Sequence, residues 1–476
     1  MSQPVLVVDL DGTLLRSDLL LESGISFFRK HPLGAFKPLL WLARGKAHLK
    51  QQLAGQCDLD VSVLPYEPAV IEQLQEARTQ GRRTVLATAS DQQLAQQVAD
   101  HLQLFDDVLA SDGHTNLSRA RKRDALVKAY GERGFDYLGN AHDDMVVWRA
   151  ARHAWLVNPL PGVRLRAQQD DAVQVAGEIY ARDNRWLSWL HALRLHQWLK
   201  NLLILVPLLT AHKLTDTLLV QQALLAFLFY GLCASSVYLL NDLLDLNDDR
   251  HHPRKRLRPF ASGALSPLHG LIATPILLVT AFAGALWLLP WQFAAVMACY
   301  YVITLAYSLS LKRLMTIDVI TLALLYTLRI IAGGAATNVH LTFWILAFSM
   351  FIFLSLALIK RYAELFDARE AGNTGKSRGR GYYPSDLPML ASLGAASGYL
   401  AVMILALYIY DQSTVALYRH PEVIWLACPL LLVWITRAWM LAHRGEMHDD
   451  PVVFAVRDPA SLVIGLLFGL VFWIAI

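Results

Sequence analysis

The chain has 476 residues, 55% of them hydrophobic, and a mean hydropathy of +0.35, which is too apolar for an ordinary soluble enzyme. With 43 Lys and Arg against 39 Asp and Glu, the net charge of +4 gives no basic surface that would point to nucleic acid as a partner. The four cysteines, Cys57, Cys233, Cys299 and Cys428, form no CxxC or Cys/His spacing, which excludes a zinc site or a disulfide framework.

The chain goes straight into VLVVDLDGT without the long apolar core of a signal peptide, so the first domain is expected to stay in the cytoplasm. VLVVDLDGTLLRSD reads as an apolar strand that delivers Asp9 and Asp11 at its C-terminal end. A carboxylate there can act as a nucleophile. TVLATAS, 84–90, is a second strand carrying the hydroxyl of Thr88, Lys122 opens KRDAL, and YLGNAHDDM, 137–145, is a strand running into an acidic turn with Asn140 and Asp144. The strand–helix rhythm predicts a doubly wound parallel sheet, with ligands at the carboxyl ends of the strands.

These four segments, in this order, resemble the haloacid dehalogenase (HAD) superfamily of phosphatases over residues 1–175, with a helical cap about 18–75. The resemblance implies Asp9 as nucleophile, Asp11 as general acid and base, and Thr88 and Lys122 on the phosphoryl group. Asp144 would be the metal carboxylate, so that Asp9, Asp11, Asn140 and Asp144 gather around Mg²⁺. Asn140 stands where the pattern has aspartate; it can ligate through its carbonyl but brings no charge.

A linker, 176–197, contains the start of NRWLSWLHALRLHQWLKN, 184–201. Trp186, Trp189, Leu190, Leu193 and Trp198 share a helical face among Arg185, Arg194 and Lys200, as expected of a helix lying in the headgroup region. Apolar runs then recur at 198–214, 217–240, 268–288, 291–311, 317–337, 341–360, 387–410, 422–443 and 459–476. They predict an all-α integral membrane domain of nine transmembrane helices over 198–476.

The loop cations set the orientation. One side carries Arg250, Arg254, Lys255, Arg256 and Arg258, then Lys312 and Arg313, then Lys360, Arg361, Arg369, Lys376, Arg378 and Arg380, then Arg444 and Arg457. The other side has Lys213 and Arg419. The polar loops are therefore expected in the cytoplasm, beside the N-terminal domain.

NDLLDLNDDRHHPRKRLRP, Asn241–Pro259, directly continues an apolar span. Asp242, Asp245 and Asp249, at i, i+3 and i+7, would share one helical face. Three carboxylates so close repel one another unless a cation lies between them, and Mg²⁺ with a diphosphate satisfies such a face. Polar groups at that depth mark a site.

NDLLDLNDD fits the NDxxDxxxD signature of the UbiA-type intramembrane prenyltransferases, which it resembles also in its predicted helices and polar loops. A second acidic motif is expected after the fourth helix, but 307–336 keeps Asp318 and has leucine at 322. Cations, Lys312, Arg313 and Arg329, stand there instead. The order Asn241–Pro259, Tyr307–Lys312 (YSLSLK), Arg329–Gly334 (RIIAGG) and Lys360–Leu365 (KRYAEL) is similar to decaprenyl-phosphate phosphoribosyltransferase.

That resemblance implies transfer of phosphoribose from phosphoribosyl pyrophosphate (PRPP) to a polyprenyl phosphate. Asp242, Asp245 and Asp249 would hold Mg²⁺ and the diphosphate. Lys255, Arg256, Arg258, Lys312, Arg329, Lys360 and Arg361 would contact phosphates, and Asn241, Tyr307, Asp318 and Glu364 would support the substrates. The expected protein is a bifunctional enzyme of the bacterial plasma membrane, with both sites facing the cytoplasm and homo-oligomer formation left open. The alternative is a transferase moving a prenyl chain to an aromatic or other acceptor. For the N-terminal domain the expected substrate is the lipid product, with released pyrophosphate or another soluble phosphoester as the second choice.

Overall fold

The computed structural model describes residues 3–31, 34, 36–181, 184–376, 380–411, 418–447 and 451–476. Arg378, one of the cations used for orientation, lies outside them. The chain divides into two compact units, Met1–Leu193 with Tyr238–Pro275, and Arg194–Val237 with Ile276–Ile476.

The first unit is built on a six-stranded sheet of β1 (Val5–Val8), β2 (Thr84–Asp91), β3 (Asp107–Ser111), β4 (Phe135–Gly139), β5 (Ala154–Val157) and β6 (Val175–Ile179). The order is β3-β2-β1-β4-β5-β6 and every pairing is parallel, which is the doubly wound arrangement. The continuous apolar run of β1 has its cause in burial on both faces. Leu6 and Val8 join Leu74, Leu86 and Val98 on one side; Val7 joins Val85, Leu126 and Trp148 on the other. The order reverses at β1, between β2 and β4, and Asp9 follows β1 there.

Three helices, α1 (Leu19–Lys30), α2 (Lys37–Ala43) and α3 (Lys46–Ala54), are inserted after β1. Asp18 starts α1 by accepting the Leu21 N–H. The next helix, α4 (Pro68–Thr79), is sheet-packed, with Val70, Leu74 and Ala77 in the same cluster as Leu6 and Leu86. α5 (Gln92–Leu102) and α6 (Ala120–Tyr130) complete the alternation, and β6 carries the sheet past residue 175. α7 (Arg185–Ala192) is capped by the Asn184 side chain and exposes Trp186, Leu187 and Leu190. It is shorter than the periodicity predicts, because Arg194 takes a left-handed conformation (φ 52°) and ends the helix before Trp198.

The remainder of the first unit is the aspartate-rich stretch. α8 (Thr217–Leu244), whose end from Tyr238 belongs here, stops before Asp245, and a short α9 (Leu246–His251) follows. The single continuous helix expected over Asp242–Asp249 is thus broken at Asp245 (φ −95°, ψ 11°). α10 (Pro267–Leu288) begins at the far end of the stretch.

In the second unit the helices are α11 (Trp291–Leu309), α12 (Ile317–Thr337), α13 (Phe343–Glu370), α14 (Leu387–Ile409), α15 (Ala427–His443) and α16 (Pro459–Ala475). Among the described residues seven helices, α8, α10, α11, α12, α13, Pro384–Ile409 and Pro421–His443, are long and apolar enough to cross a membrane. α16 is apolar but short. The expected span 198–214 is replaced by a 3₁₀ stretch, Leu195–Leu205, and a single turn, Val206–Thr210. Its polar residues are the reason. Lys200 and Asn201 are buried and engage α12: Lys200 lies over the Tyr326 ring and Asn201 accepts from Arg329. Pro207 cannot serve a helix interior.

α12 is the buried helix of this unit, 72% of its apolar window being inside, and Gly333 lets the 3₁₀ backbone lie directly on it. A Cβ at Gly333 would stand 2.1 Å from the Ile204 carbonyl oxygen. We expect Gly333→Ala to cost about 1–3 kcal/mol through overpacking, measured as a lower Tm of the detergent-solubilised protein.

Candidate active site

At the carboxyl end of β1, Asp9 accepts from Lys122 Nζ (2.8 Å), and Lys122 also donates to the Tyr137 hydroxyl (2.9 Å). Tyr137 in turn donates to Asp144 Oδ1 (2.9 Å), whose other oxygen takes the Asn140 and Ala141 N–H groups. Asp144 thereby fixes the turn after β4, and Lys122 sits 3.9 Å from it. Asp11 accepts from Leu19 N and from the Ser90 hydroxyl. Thr88 is buried, its hydroxyl accepting the Ser90 N–H.

Burial pushes the carboxyls of Asp9 and Asp11 up. Lys122 pulls Asp9 back in part, while Asp144 adds to the rise; Asp18 adds to that of Asp11. Burial acts to lower Lys122, but Asp9 and Asp144 outweigh it, so the ammonium stays charged at neutral pH. The side chains expected from sequence, Asp9, Asp11, Thr88, Lys122, Asn140 and Asp144, thus lie after the carboxyl ends of β1 and β4, in the second half of β2 and on α6, which is the side a doubly wound sheet offers a ligand. The ligand atoms that Asp9, Asp11, Asn140 and Asp144 could offer are oxygens, a set that would suit a hard cation such as Mg²⁺. Sequence reasoning missed Tyr137, Ser90 and Lys50. Lys50, on α3, donates to the Ala89 carbonyl and Asn116, so the cap contributes a cation at this edge; β-strand alternation marks Tyr137, but Lys50 carries no sequence signal.

In the aspartate-rich stretch Asp242 and Asp249 are buried, and one guanidinium nitrogen of Arg258 bridges them at 3.1 and 2.6 Å. Burial raises Asp249, and Arg258 opposes the rise. Asp245, at the helix break, is half-buried and lies 3.8 Å from Arg29 of α1. Lys255 and Arg256 are exposed, and the Asn241 carbonyl accepts the Asp245 N–H. Two carboxylate oxygens therefore converge on one cationic atom. Mg²⁺ commonly takes one or two carboxylates and completes its shell with water and phosphate, so this pair fits it. Among the described residues, no three His, Cys, Asp or Glu side chains gather around one point.

The same stretch is fastened to the cap. Arg250 forms a two-pronged pair with Glu22 of α1 (2.6 and 2.7 Å), both side chains 2% exposed. Arg29 reaches Asp248 (2.5 Å), and Asn247 donates to the Asp58 carbonyl. None of these partners is legible from local pattern.

In the second unit Asp318 is fully buried. Arg361 donates to both its oxygens (2.8 and 3.1 Å), Tyr307 donates to one (2.8 Å), and Arg380 lies 3.3 Å away. Arg361 also pairs with Glu364. Arg361, expected on a phosphate, is 1% exposed and is occupied by these carboxylates; Arg380, not singled out from sequence, is 22% exposed. Lys312, in the 3₁₀ turn Leu311–Arg313 after α11, and Lys360, inside α13, are part-buried. Arg329 is buried on α12, donates to Asn201 and the Leu325 carbonyl, and lies over the rings of Tyr230, Tyr300 and Tyr326. An apolar cavity of about 620 Å³, lined by Leu203, Ile330, Trp344, Phe348 and Phe353 among others, adjoins the same turn of α12.

The UbiA prenyltransferase family matches residues 202–475, more than half of the chain, and the chain belongs to that family. The protein y4nM of Sinorhizobium fredii is 37% identical over 472 residues, 99% of this chain and 90% of that one, so both parts occur together there. Decaprenyl-phosphate phosphoribosyltransferase of Mycobacterium tuberculosis is 33% identical over 228 residues, 47% of this chain and 74% of that one. Over the N-terminal part, a HAD family hydrolase from Salmonella enterica shares 14% identity, covering 37% of this chain and 68% of that one, with a TM-score of 0.28.

Arg361→Met would leave the buried Asp318 without its two-pronged partner. We expect a loss of about 3–5 kcal/mol, seen as a lower Tm in detergent, with part of it recovered when Asp318→Asn is added.

Proposed function

We propose that this chain is a Mg²⁺-dependent, bifunctional enzyme of lipid-linked sugar synthesis. It transfers 5-phosphoribose from PRPP to a polyprenyl phosphate, and its HAD-like part removes the 5-phosphate from the lipid product. The observation that carries the donor assignment is the pairing of Asp318. The acidic position that remains of the second motif is held by Arg361 and Arg380, so it presents cations where a prenyl-diphosphate enzyme would present carboxylates. PRPP bears a diphosphate and a separate phosphate, and the acceptor bears a third anionic group, so this chemistry needs more cationic contacts than a single prenyl diphosphate does. The similarity to decaprenyl-phosphate phosphoribosyltransferase supports the same reading.

Asp242 and Asp249 are the residues that would hold Mg²⁺, which when bound neutralises charge on the diphosphate leaving group, and Asp245 is turned toward Arg29. Lys255, Arg256 and Arg258 are the phosphate contacts of the aspartate-rich stretch, and Lys312, Lys360 and Arg380 are those of the second unit. Arg361 positions Arg380 through Asp318 and Glu364. An oxygen of the lipid phosphate attacks the anomeric carbon, the bond from that carbon to the diphosphate oxygen breaks, and pyrophosphate leaves. The acceptor is already anionic, so no strong base is required. Arg329, Asn201 and the apolar cavity beside Ile330 suit an amphiphile with a phosphate head and an isoprenoid tail.

In the HAD-like part Asp9 attacks phosphorus and forms an aspartyl phosphate, releasing the ribose hydroxyl. Lys122 and Thr88 bind the phosphoryl oxygens. Asp11, pushed up by burial, holds a proton near neutral pH for the leaving oxygen and takes one from the water that completes hydrolysis. Both sites work on the cytoplasmic face of a bacterial plasma membrane.

Purified protein supplied with Mg²⁺, polyprenyl phosphate and labelled PRPP should yield labelled lipid. Label entering lipid only from a prenyl diphosphate would refute the assignment. Asp242→Asn should lower transfer at least about 100-fold. Asp9→Asn should transfer normally and accumulate the 5-phosphorylated lipid; equal product phosphorylation in wild type and variant would remove the phosphatase step from the scheme.

A further inference from the structure

The cap of the HAD-like part carries an apolar face that nothing in the first unit covers. No residue of α2, KPLLWLA, is buried. Phe36, Leu39 and Leu40 are 58%, 70% and 61% exposed, and with Ala43 they occupy positions i, i+3, i+4 and i+7, one face of the helix. The opposite side is anchored: Trp41 meets the buried Phe27 of α1 edge to face, ring centroids 5.1 Å apart. The exposure is therefore built in, because the helix has a packed side and a separate apolar side.

Charge around this face is of one sign. Between Glu22 and Asp58 the sequence has Arg29, Lys30, Lys37, Arg44, Lys46 and Lys50 and not one carboxylate. Lys37 and Arg44 are exposed and fall on the same edge of α2, between its apolar and its anchored sides. Long cationic stems at the border of an apolar face match a helix lying at the headgroup boundary of an anionic bilayer.

The fold also places the cap at the end of a membrane span. Leu243 and Leu244 are the last residues of α8, one of the seven apolar helices. With Leu246 they line a cavity of about 310 Å³ whose other wall is Ile25, Ser26, Arg29 and Lys30 of α1. Phe27, on the other side of the same turn of α1, holds Trp41 of α2. Hence α2 is attached to the turn of α1 that abuts the exit of the span. The Arg250–Glu22, Arg29–Asp248 and Asn247–Asp58 bonds keep that attachment in register.

We infer that the Phe36–Ala43 face of the cap lies in the acyl–headgroup boundary of an anionic membrane, held there by its own apolar residues and by Lys37 and Arg44. Resting on the phosphatase reading above, this contact gives the HAD-like centre its preference: a phosphomonoester whose other end is embedded in the bilayer, over a freely soluble one.

The test uses the full chain, with its four cysteines replaced and Leu39→Cys or Leu40→Cys labelled with NBD, in phosphatidylethanolamine–phosphatidylglycerol vesicles. The expected result is a blue-shifted emission quenched severalfold more by acyl-chain doxyl lipid than the same probe at Lys128→Cys. Lys128 is exposed near the end of α6, which leads into the N-terminal edge of β4, away from the cap. Equal, weak quenching at both places would overturn the inference. So would a blue shift without lipid quenching, accompanied by disulfide dimers when unlabelled Leu39→Cys is treated with copper phenanthroline as oxidant, since the face would then be covered by a second copy. As a readout of consequence, Leu39→Glu with Leu40→Glu should raise the apparent KM for a phosphorylated polyprenyl-linked sugar about tenfold while p-nitrophenyl phosphate hydrolysis is unchanged. If no variant and no wild type hydrolyses the lipid, the phosphatase reading fails, and the quenching still decides the membrane contact.

Discussion

Two buried charges, Glu22 and Arg250, hold much of the first unit in place. They are 228 positions apart, and each would be costly inside a protein without the other. The two-pronged geometry satisfies both, and the third guanidinium donor goes to the Ala261 carbonyl (3.0 Å). One side chain thus ties the cap helix α1, the short helix α9 and the chain before α10 together. Asp249, next to Arg250, is aimed by the same backbone at Arg258 and Asp242. The aspartate-rich stretch is therefore shaped by the parallel-sheet domain and its inserted helices as well as by the membrane helix that precedes it.

The break at Asp245 follows from this constraint. A continuous helix would put Asp242, Asp245 and Asp249 on one face, three like charges within two turns. Interrupting it lets two of them meet a common cation and moves the third toward Arg29. Repulsion among the acids is relieved by cations from two sources, one local in sequence and one from the cap.

What was legible in the sequence is what is local. The strand that ends in Asp9, the sheet, the aspartate-rich signature and most apolar helices are encoded in runs of neighbouring residues, and their types are set by periodicity. Glu22 looked like one more helix residue, because nothing near it in sequence announces Arg250. Arg361 looked like a phosphate ligand for the same reason: its partner Asp318 is 43 residues away. Hydropathy took 198–214 for a span since it counts side chains and ignores geometry. It does not register that Asn201 is needed at Arg329, that Pro207 stands inside the run, or that Gly333 leaves a groove for the backbone. Interrupted apolar runs of this kind arise where a polar group must be presented inside a membrane domain.

Asn140 shows how charge is balanced at the carboxyl end of the parallel sheet. Asp9 and Asp144 share one lysine, Asp11 accepts from Leu19 and Ser90, and burial already pushes Asp9 and Asp11 toward their protonated forms. Aspartate at 140 would add another buried negative charge, and only a tightly held cation would offset it. Asparagine keeps an oxygen for a metal and removes that repulsion. It also fills a definite space: a Cβ on Gly12 would lie 2.1 Å from the Asn140 amide nitrogen, and Gly12 has φ +75°. The glycine of DGT and the asparagine after β4 are therefore fitted to each other, so the residue at 140 is constrained by shape on one side and by the charge of its neighbours on the other. A site arranged in this way fixes Asp9 through Lys122, which Tyr137 holds in turn.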